Sequence, residues 1–271
     1  EMGTGDPIIA LHGLAQHSDY WMKTGVAAEL AKHYRVIALD IRGHGFTKVE
    51  GEEKGYDIDH CLEDINVLAA HLGLDNFHLM GHSTGGMIAV RYAMKYASNN
   101  HQTQPNRLLS LILCNTSSST QFSNLSDSAN KTARHIFASS FENFSWPMII
   151  QGLKFNGGPL FSGISAAENS NELFEQCLDL MQDGDGHSIG AFVRSFYNDS
   201  DPHIEGLKTI SCPTLVITAE KDRIFNKTSE LFLKHIPNTT HSHHLSAGHM
   251  TAVECPDWFA QKVLSFLQTM S

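Results

Sequence analysis

The feature that most constrains the fold is a short stretch in which a strand, a tight glycine turn and a helix follow one another. Phe77 and Leu79 alternate with polar neighbours, as strand residues do, and Gly81-x-Ser83-x-Gly85 follows them. Apolar residues then recur at helical spacing from Met87 onward. A serine in this context is typical of a sharp, strained turn that exposes its hydroxyl. The stretch therefore predicts a nucleophilic Ser83 at the edge of a sheet.

A second Gly-x-Ser-x-Gly pattern occupies residues 186–190, with Ser188 at its centre. A helix-like run, Leu173–Met181, and a polar break precede this copy, so no strand would place its serine at a sheet edge. The strand–turn–helix context favours Ser83 as the nucleophile. We interpret Ser188 as the N-cap of a helix over Ala191–Tyr197.

The bulk properties exclude several classes of partner. A chain of 271 residues suffices for one large α/β domain or two small ones. Its formal net charge of −10 argues against nucleic acid or an anionic membrane as the main partner. No apolar run approaches the roughly 18 residues that a membrane helix needs. We therefore expect a small-molecule substrate, and the oligomeric state is left open.

The cysteines indicate the compartment. The five of them are scattered and lack C-x-x-C spacing, which predicts a reducing environment with neither a disulfide framework nor a zinc site. We expect a cytoplasmic protein that needs no metal and no other cofactor. Secretion is the alternative, because Asn-x-Ser/Thr sequons such as that at Asn124 occur and the chain opens almost directly on a strand, as if an upstream segment were missing.

Short apolar runs typical of buried strands alternate with helical patterns on both sides of one long aromatic-rich stretch. Strands are predicted near residues 8–11, 35–39, 77–80, 108–113, 213–218 and 241–246, and helices over 20–32, 57–72, 228–235 and 256–270. This order predicts a mostly parallel central sheet with helices on both faces. The predicted α/β core comprises 1–116 and 208–271, and a helical cap, or lid, comprises 117–207.

Taken together, these pieces resemble the α/β-hydrolase superfamily, and within it the small capped esterases, lactonases and C–C hydrolases. The matching motifs span nearly the whole chain in the family's order: His12-Gly13, Asp40-x-Arg42-Gly43-His44-Gly45, Gly81–Gly86, Pro213–Asp222 and Gly248-His249. The chain departs from the family at its start, where Glu1–Asp6 matches only the end of the usual first hairpin. The resemblance implies an α/β-hydrolase fold in which nucleophile, acid and base follow in that order.

A serine hydroxyl becomes a strong nucleophile only when a base takes its proton, and a carboxylate must hold that imidazole in the right tautomer. The resemblance implies that Asp222, just after the strand at 213–218, is the acid. Glu220 and Asp201 are rivals, and an N-cap near Phe225 is the structural alternative for Asp222. His249, on the loop before the last helix, is implied as the base.

The family also forms an oxyanion hole from two backbone N–H groups, which correspond here to those of Leu14 and Thr84. The aromatic-rich cap should roof the site, and we expect the substrate pocket to include His17, Phe141, Phe144 and Trp146. Three further histidines near the last strand lack a carboxylate or cysteine to complete a metal site. We interpret His241, His243 and His244 as part of a solvated edge strand.

The predicted reaction is hydrolysis of a small or medium apolar carboxylic ester through an acyl-enzyme on Ser83. Hydrolysis of a lactone or thioester, or cleavage of a C–C bond, would use the same three side chains and stays open. Because one fold hosts unrelated activities, acyl transfer, a lyase reaction and a hydrolase-like receptor for a small ligand are further alternatives.

Overall fold

The computed structural model describes residues 1–49, 55–97, 107–121, 126–156, 158–181 and 184–270. Its strands are β1 (Pro7–Leu11), β2 (Arg35–Leu39), β3 (Phe77–His82), β4 (Leu108–Cys114), β5 (Thr214–Ala219) and β6 (Thr239–His244). They pair in parallel in the order β2-β1-β3-β4-β5-β6. The prediction of a mostly parallel central sheet is confirmed.

The helices that cover the sheet are α1 (Asp19–Met22), α2 (Val26–Leu30), α3 (Ile58–His71) and α4 (Thr84–Tyr96). Between β4 and β5 follow α5 (Asp127–Asn143), α6 (Trp146–Asn156), α7 (Ser162–Ser165), α8 (Ser170–Asp179), α9 (Gly186–Phe196) and α10 (Ile204–Leu207). The chain ends with α11 (Asn226–His235), α12 (Thr251–Glu254) and α13 (Pro256–Leu267), and short 3₁₀ helices cover Pro159–Phe161 and Gln268–Met270. The helices α1, α2, α12 and α13 pack as one layer, and α3, α4, α10 and α11 as another.

The strands form where apolar residues run without interruption. Every residue of β3 and of β5 is buried, and Ile8, Leu79 and Ile112 have no exposed surface. Strands covered on both faces have no solvent side, so they lose the alternation of polar and apolar residues. The strand β6 differs, because its Thr- and His-rich residues are partly exposed at the sheet edge. This matches the predicted edge strand.

Two local predictions are corrected by the backbone. The single helix predicted over 20–32 is divided into α1 and α2, because Gly25 between them has φ +87°, a left-handed conformation that a right-handed helix cannot contain. Ser188 is not an N-cap. It lies inside α9, whose N-cap is Asp185, and its Oγ donates a 2.7 Å hydrogen bond to Asp185 Oδ2.

The insertion between β4 and β5 forms a helical layer of its own. Its helices α5 and α9 pack closely together, and aromatic rings pair within it, as Phe141 does with Trp146 and Phe192 with Phe196. The described part of this layer lies within the stretch 117–207 that we predicted as a cap. Of the helices in the described ranges, none combines the length and the hydropathy that crossing a membrane requires.

Candidate active site

Ser83 lies at the turn between β3 and α4, in a backbone conformation that serine rarely adopts, with φ +52° and ψ −117°. The flanking glycines are required by close contacts. A Cβ on Gly81 would lie 2.3 Å from the Gly85 carbonyl oxygen, and one on Gly85 would lie 2.4 Å from the Leu11 carbonyl oxygen. The Ser83 N–H donates to the Cys114 carbonyl at 3.0 Å, which fixes the turn to β4. Ser188, by contrast, has no strand before it.

The predicted base and acid are in contact. His249 follows β6, Asp222 follows β5, and the imidazole Nδ1 lies 3.1 Å from the carboxylate Oδ2. Both side chains are almost fully buried. The other carboxylate oxygen, Oδ1, accepts 3.1 Å hydrogen bonds from the N–H groups of Ile224 and Phe225. Asp222 therefore also accepts the backbone hydrogen bonds expected of an N-cap near Phe225, which was the structural alternative for this residue.

Opposing effects set the charge of Asp222. Burial acts to raise the pKa of its carboxyl group, but the His249 imidazole and the two backbone donors outweigh burial, so the net pKa lies below the ordinary value. The ionised carboxylate can only accept, so the His249 Nδ1 carries the proton and Nε2 is the basic nitrogen. The rival acids are elsewhere: Glu220 is exposed, 3.1 Å from His243, and Asp201 is exposed beside His203.

The loop that carries His249 is held by three side chains. His82 Nε2 donates to the His249 carbonyl at 2.8 Å, and Asn115 Nδ2 donates to the Gly248 carbonyl at 3.0 Å. The Glu254 carboxylate accepts from the N–H of Gly248 at 2.8 Å and from that of Met250 at 3.1 Å. Burial raises the pKa of Glu254, although these N–H donors oppose the rise. The roles of Asn115 and Glu254 had no local sequence signal.

Leu14, a predicted oxyanion donor, lies in a tightly braced turn after β1. Gln16 Oε1 accepts from the Gly13 N–H at 2.9 Å. His12 Nε2 accepts from the Ile41 N–H at 3.0 Å, so its Nδ1–H donates to the Gly13 carbonyl at 2.7 Å. Burial lowers the pKa of His12 to about 3, which keeps the imidazole neutral and this pair of hydrogen bonds intact.

Thr84, the other predicted donor, is the first residue of α4. The first N–H groups of a helix have no acceptor within the helix, and they point toward the positive end of its dipole. The Thr84 hydroxyl forms a short hydrogen bond with the Tyr197 hydroxyl, which lies just beyond α9. One predicted oxyanion donor is therefore linked directly to the insertion.

Ser83 opens onto a cavity with two lobes. The larger lobe has a volume of about 320 Å³ and the smaller lobe about 110 Å³. Leu14, Ser83, Phe137 and Leu160 line both. The larger lobe is completed by Met87, Gln121, Ala133, Tyr197, Ile224 and Phe225. The smaller lobe is completed by Gly13, Ala15, Gln16, His82, Phe141, Ile149, Leu153, Phe161, Met181, His249 and Met250. His249 and Ser83 thus share the wall of the smaller lobe.

Only one of the four predicted pocket residues lines the cavity. Phe141 faces the smaller lobe. Trp146 packs behind Phe141, with ring centroids 5.5 Å apart, and its indole N–H donates to the Gly184 carbonyl. Phe144 is 53% exposed, and His17 is buried outside the cavity lining with its Nδ1 4.0 Å from an Asp19 oxygen. The residues missed by the prediction include Phe137 and Leu160, which line both lobes.

The described ranges contain no group of three or more His, Cys, Asp or Glu side chains arranged to hold a metal. His241 Nε2 and His243 Nδ1 each lie 2.8 Å from the Thr218 hydroxyl, so these two histidines contact the neighbouring strand β5, and His244 Nδ1 accepts from the Ala247 N–H at 2.9 Å.

Known proteins of several activities are similar to this chain. The family model of the alpha/beta hydrolase fold matches residues 6–256. Over 98 residues, 36% of this chain, the sequence is 39% identical to a non-heme haloperoxidase from Rhodococcus erythropolis, of which the match covers 35%. The chain spans about a third of the length of the curated relatives it matches.

Solved structures also resemble this chain over nearly its whole length. A thermophilic esterase from Thermogutta terrifontis is 26% identical with a TM-score of 0.81, and the match covers 99% of this chain and 92% of the esterase. An enol-lactonase from Burkholderia xenovorans is 21% identical with a TM-score of 0.77, covering 98% and 93%. The second likeness concerns the fold alone.

Proposed function

The chain belongs to the alpha/beta hydrolase family, and on that premise we propose that it is a serine hydrolase that cleaves small to medium apolar carboxylic esters. The observation that carries this proposal is the position of His249, which lies in the wall of the cavity onto which Ser83 opens and contacts the buried, ionised Asp222. The likeness to the Thermogutta terrifontis esterase supports it.

In the proposed reaction, the Ser83 Oγ attacks the ester carbonyl carbon while His249 Nε2 takes the hydroxyl proton. Asp222 stabilises the imidazolium that forms. The N–H groups of Leu14 and Thr84 donate to the oxyanion, and loss of one such donor typically lowers the rate by about 10²–10³. His249 then gives its proton to the leaving alcohol as the C–O bond breaks, and water hydrolyses the acyl-enzyme by the same steps.

The chemistry of serine favours a carbonyl substrate over an epoxide or an alkyl halide. Attack of Ser83 on a carbonyl forms an ester with the enzyme, and the same base and oxyanion donors then assist water in cleaving that ester. Attack on a saturated carbon would form an ether, which has no carbonyl for water to attack. A serine at this turn therefore supports acyl chemistry.

The cavity lining supports an apolar and uncharged substrate. Among the described residues that line it, none is a lysine, arginine, aspartate or glutamate. Leucine, isoleucine, methionine and phenylalanine side chains form most of the wall. Its polar side chains are those of Gln16, His82, Ser83, Gln121, Tyr197 and His249. Pockets of this composition bind by burial of apolar surface, with a few polar groups that fix orientation.

The nucleophile is tested with a fluorophosphonate probe, which phosphonylates activated serines. We expect the wild type and Ser188→Ala to be labelled and Ser83→Ala to remain unlabelled. Hydrolysis of short esters should disappear with the same variant. Ser188→Ala is the matched control because it removes the serine of the other Gly-x-Ser-x-Gly pattern, within α9.

Labelling that persists in Ser83→Ala would refute the proposed nucleophile. A parallel panel of lactones and thioesters separates the related hydrolase activities, since these would show turnover where simple esters do not. A receptor would bind ligands that raise the Tm of the protein while its turnover stayed close to that of buffer.

A further inference from the structure

The two lobes of the cavity differ in their relation to His249. Both lobes reach Ser83, but His249 lines only the smaller one. The larger lobe has Ile224 and Phe225 in its wall, and the Phe225 ring stacks on the imidazole with centroids 5.1 Å apart. Phe225 thus lies beside His249 on the side of the larger lobe.

The proposed chemistry assigns the two halves of an ester to different sides of the nucleophile. When the tetrahedral intermediate collapses, the leaving oxygen must receive its proton from His249, which requires hydrogen-bond reach. The acyl group stays bonded to the Ser83 Oγ throughout. The leaving alcohol therefore belongs on the side of His249, and the acyl chain belongs on the opposite side.

We propose that the larger lobe holds the acyl chain and the smaller lobe the leaving alcohol, so that the preferred substrates are esters of medium-length apolar acids with short alcohols. This assignment rests on the proposed function. The larger lobe, at about 320 Å³, has about three times the volume of the smaller lobe, at about 110 Å³, so it accommodates the longer half of the ester. The wall of the larger lobe is apolar except near Gln121, Tyr197 and Ser83.

Residues of the insertion set the size of each lobe. Ala133, on α5, lines only the larger lobe, and its small side chain leaves space there. Leu153, on α6, lines only the smaller lobe and limits its volume. A change at Ala133 should therefore alter which acyl chains are accepted, and a change at Leu153 should alter which leaving alcohols are accepted.

The assignment is tested with two isomers, methyl octanoate and heptyl acetate. They have the same atoms and differ only in which side of the ester bond carries the long chain, so differences in hydrophobicity do not confuse the result. Acid release in a pH-stat reports both reactions. We expect kcat/KM for methyl octanoate to exceed that for heptyl acetate at least tenfold.

Variants of the two lobes should change this ratio in predictable ways. Ala133→Phe should lower kcat/KM for methyl octanoate at least fivefold, because the added ring fills the larger lobe. Leu153→Ala should raise kcat/KM for heptyl acetate at least threefold, because the smaller lobe gains space. Lys131→Phe is the matched control, since it adds the same ring at an exposed position of α5 and should keep the wild-type ratio.

The possible failures are distinguishable. A wild-type preference below tenfold, or one for heptyl acetate, overturns the assignment of the lobes and leaves the esterase proposal standing. Absence of turnover with both isomers, with no labelling of Ser83, overturns the proposed function and this assignment with it. If Ala133→Phe does not fold, the isomer ratio of the wild type and the gain in Leu153→Ala still decide the question.

Discussion

At the scale of single residues, Ser83 combines a strained backbone with a protected position. Its φ of +52° is held by hydrogen bonds on both of its backbone groups: its N–H donates to Cys114, and its carbonyl accepts from the Thr116 hydroxyl at 2.6 Å. Strain of this kind persists only where surrounding contacts determine it. The hydroxyl is thereby presented to the cavity while the main chain around it is fixed.

The role of Asp222 is tested by Asp222→Asn, which keeps the shape of the side chain and removes its charge. We expect kcat on a preferred ester to fall by about 10⁴, because an amide neither fixes the imidazole tautomer nor stabilises the imidazolium. KM should change little, since Asp222 is not among the residues that line the cavity. Initial rates over a range of ester concentrations give both constants.

Glu220→Gln is the control for this change, because Glu220 was the nearest rival in sequence and its exposed carboxylate pairs with His243 instead. It should retain nearly the wild-type kcat. A loss of activity in Glu220→Gln together with a mild effect of Asp222→Asn would exclude the proposed acid.

Residues with a strong local pattern could be predicted from the sequence, and those placed by tertiary packing could not. Ser83 was predicted from its own context of strand, turn and helix. Asp222 and His249 were implied by the resemblance to the α/β-hydrolase superfamily, at positions after a predicted strand and before the last predicted helix. No local sequence pattern indicated the role of Glu254. Its carboxylate reaches back to the N–H groups on both sides of His249, and only the three-dimensional path of the loop reveals this.

At the scale of elements, the short helix α7 connects the insertion to the loops that carry the predicted acid and base. The Ser162 hydroxyl donates to the Lys221 carbonyl, next to Asp222. Gly163 lies against the backbone of Gly248, next to His249. Contacts between α7 and these two loops therefore link the insertion to the residues next to the proposed acid and the proposed base.

Gly163→Ala should disturb this junction. The added Cβ would lie 2.0 Å from Glu254 Oε2 and 2.4 Å from the Gly248 nitrogen, so either α7 or the His249 loop must move. We expect kcat to fall at least tenfold with a lowered Tm. Steady-state kinetics and thermal unfolding measure the two effects.

Gly152→Ala is the matched control, because nothing lies within 4 Å of its added Cβ and it stands in the middle of α6. In a helix interior this change typically stabilises by about 0.5–1 kcal/mol. A Gly163→Ala variant that behaves like Gly152→Ala would show that the contact with Gly248 is unimportant for the reaction.

The sequence patterns predicted the strands of the core, but they did not predict which aromatic residues of the insertion face the cavity. Most strands of the core were predicted well, because a short apolar run bounded by glycine turns is typical of a buried strand. In the described part of the insertion, four of the six helices carry aromatic residues. Spacing alone does not tell which of these residues face the cavity and which face a neighbouring helix. Phe137 faces the cavity, whereas Trp146 packs against Phe141 and Phe144 is exposed to solvent.

At the scale of the whole molecule, buried imidazoles should make stability depend on pH. Burial lowers the pKa to about 3 for His12 and His82 and to about 4 for His44 and His78, against 6.5 for an ordinary histidine. Below pH 6.5 the unfolded chain therefore binds more protons than the folded one, and the free energy of unfolding decreases as the pH falls. Each group contributes up to about 1.4 kcal/mol per pH unit.

We expect the Tm to be nearly constant from pH 8 to 7 and to fall progressively from pH 6.5 toward pH 4. The raised pKa of Glu254 stabilises the folded state as the pH falls, but this is one group against the four buried histidines. As the pH falls below about 3.8, the carboxyl group of Asp222 binds a proton in the unfolded chain before it does so in the folded chain, where its pKa is lowered, and further stability is lost. Calorimetry at a series of pH values measures the profile.

His78→Gln should reduce the slope between pH 6.5 and 5, because it removes one buried imidazole that lies away from Ser83. His135→Gln should preserve the slope, since His135 is exposed on α5. A Tm that stays the same from pH 7 to pH 5 would contradict the expected contribution of the buried histidines.

The strands β4 and β5 are neighbours in the sheet, and the entire insertion leaves from one and returns to the other. Its two ends meet near the core, where the Thr120 N–H donates to the Asp199 carbonyl at 2.9 Å and the Ser118 hydroxyl donates to the Pro202 carbonyl at 2.6 Å. Close ends are the arrangement under which proteins tolerate the exchange of a whole segment. The proposed reacting groups follow core strands, whereas the insertion supplies much of the cavity wall around them. Replacing the insertion between β4 and β5 should therefore change which substrates are accepted while the proposed reacting groups stay the same.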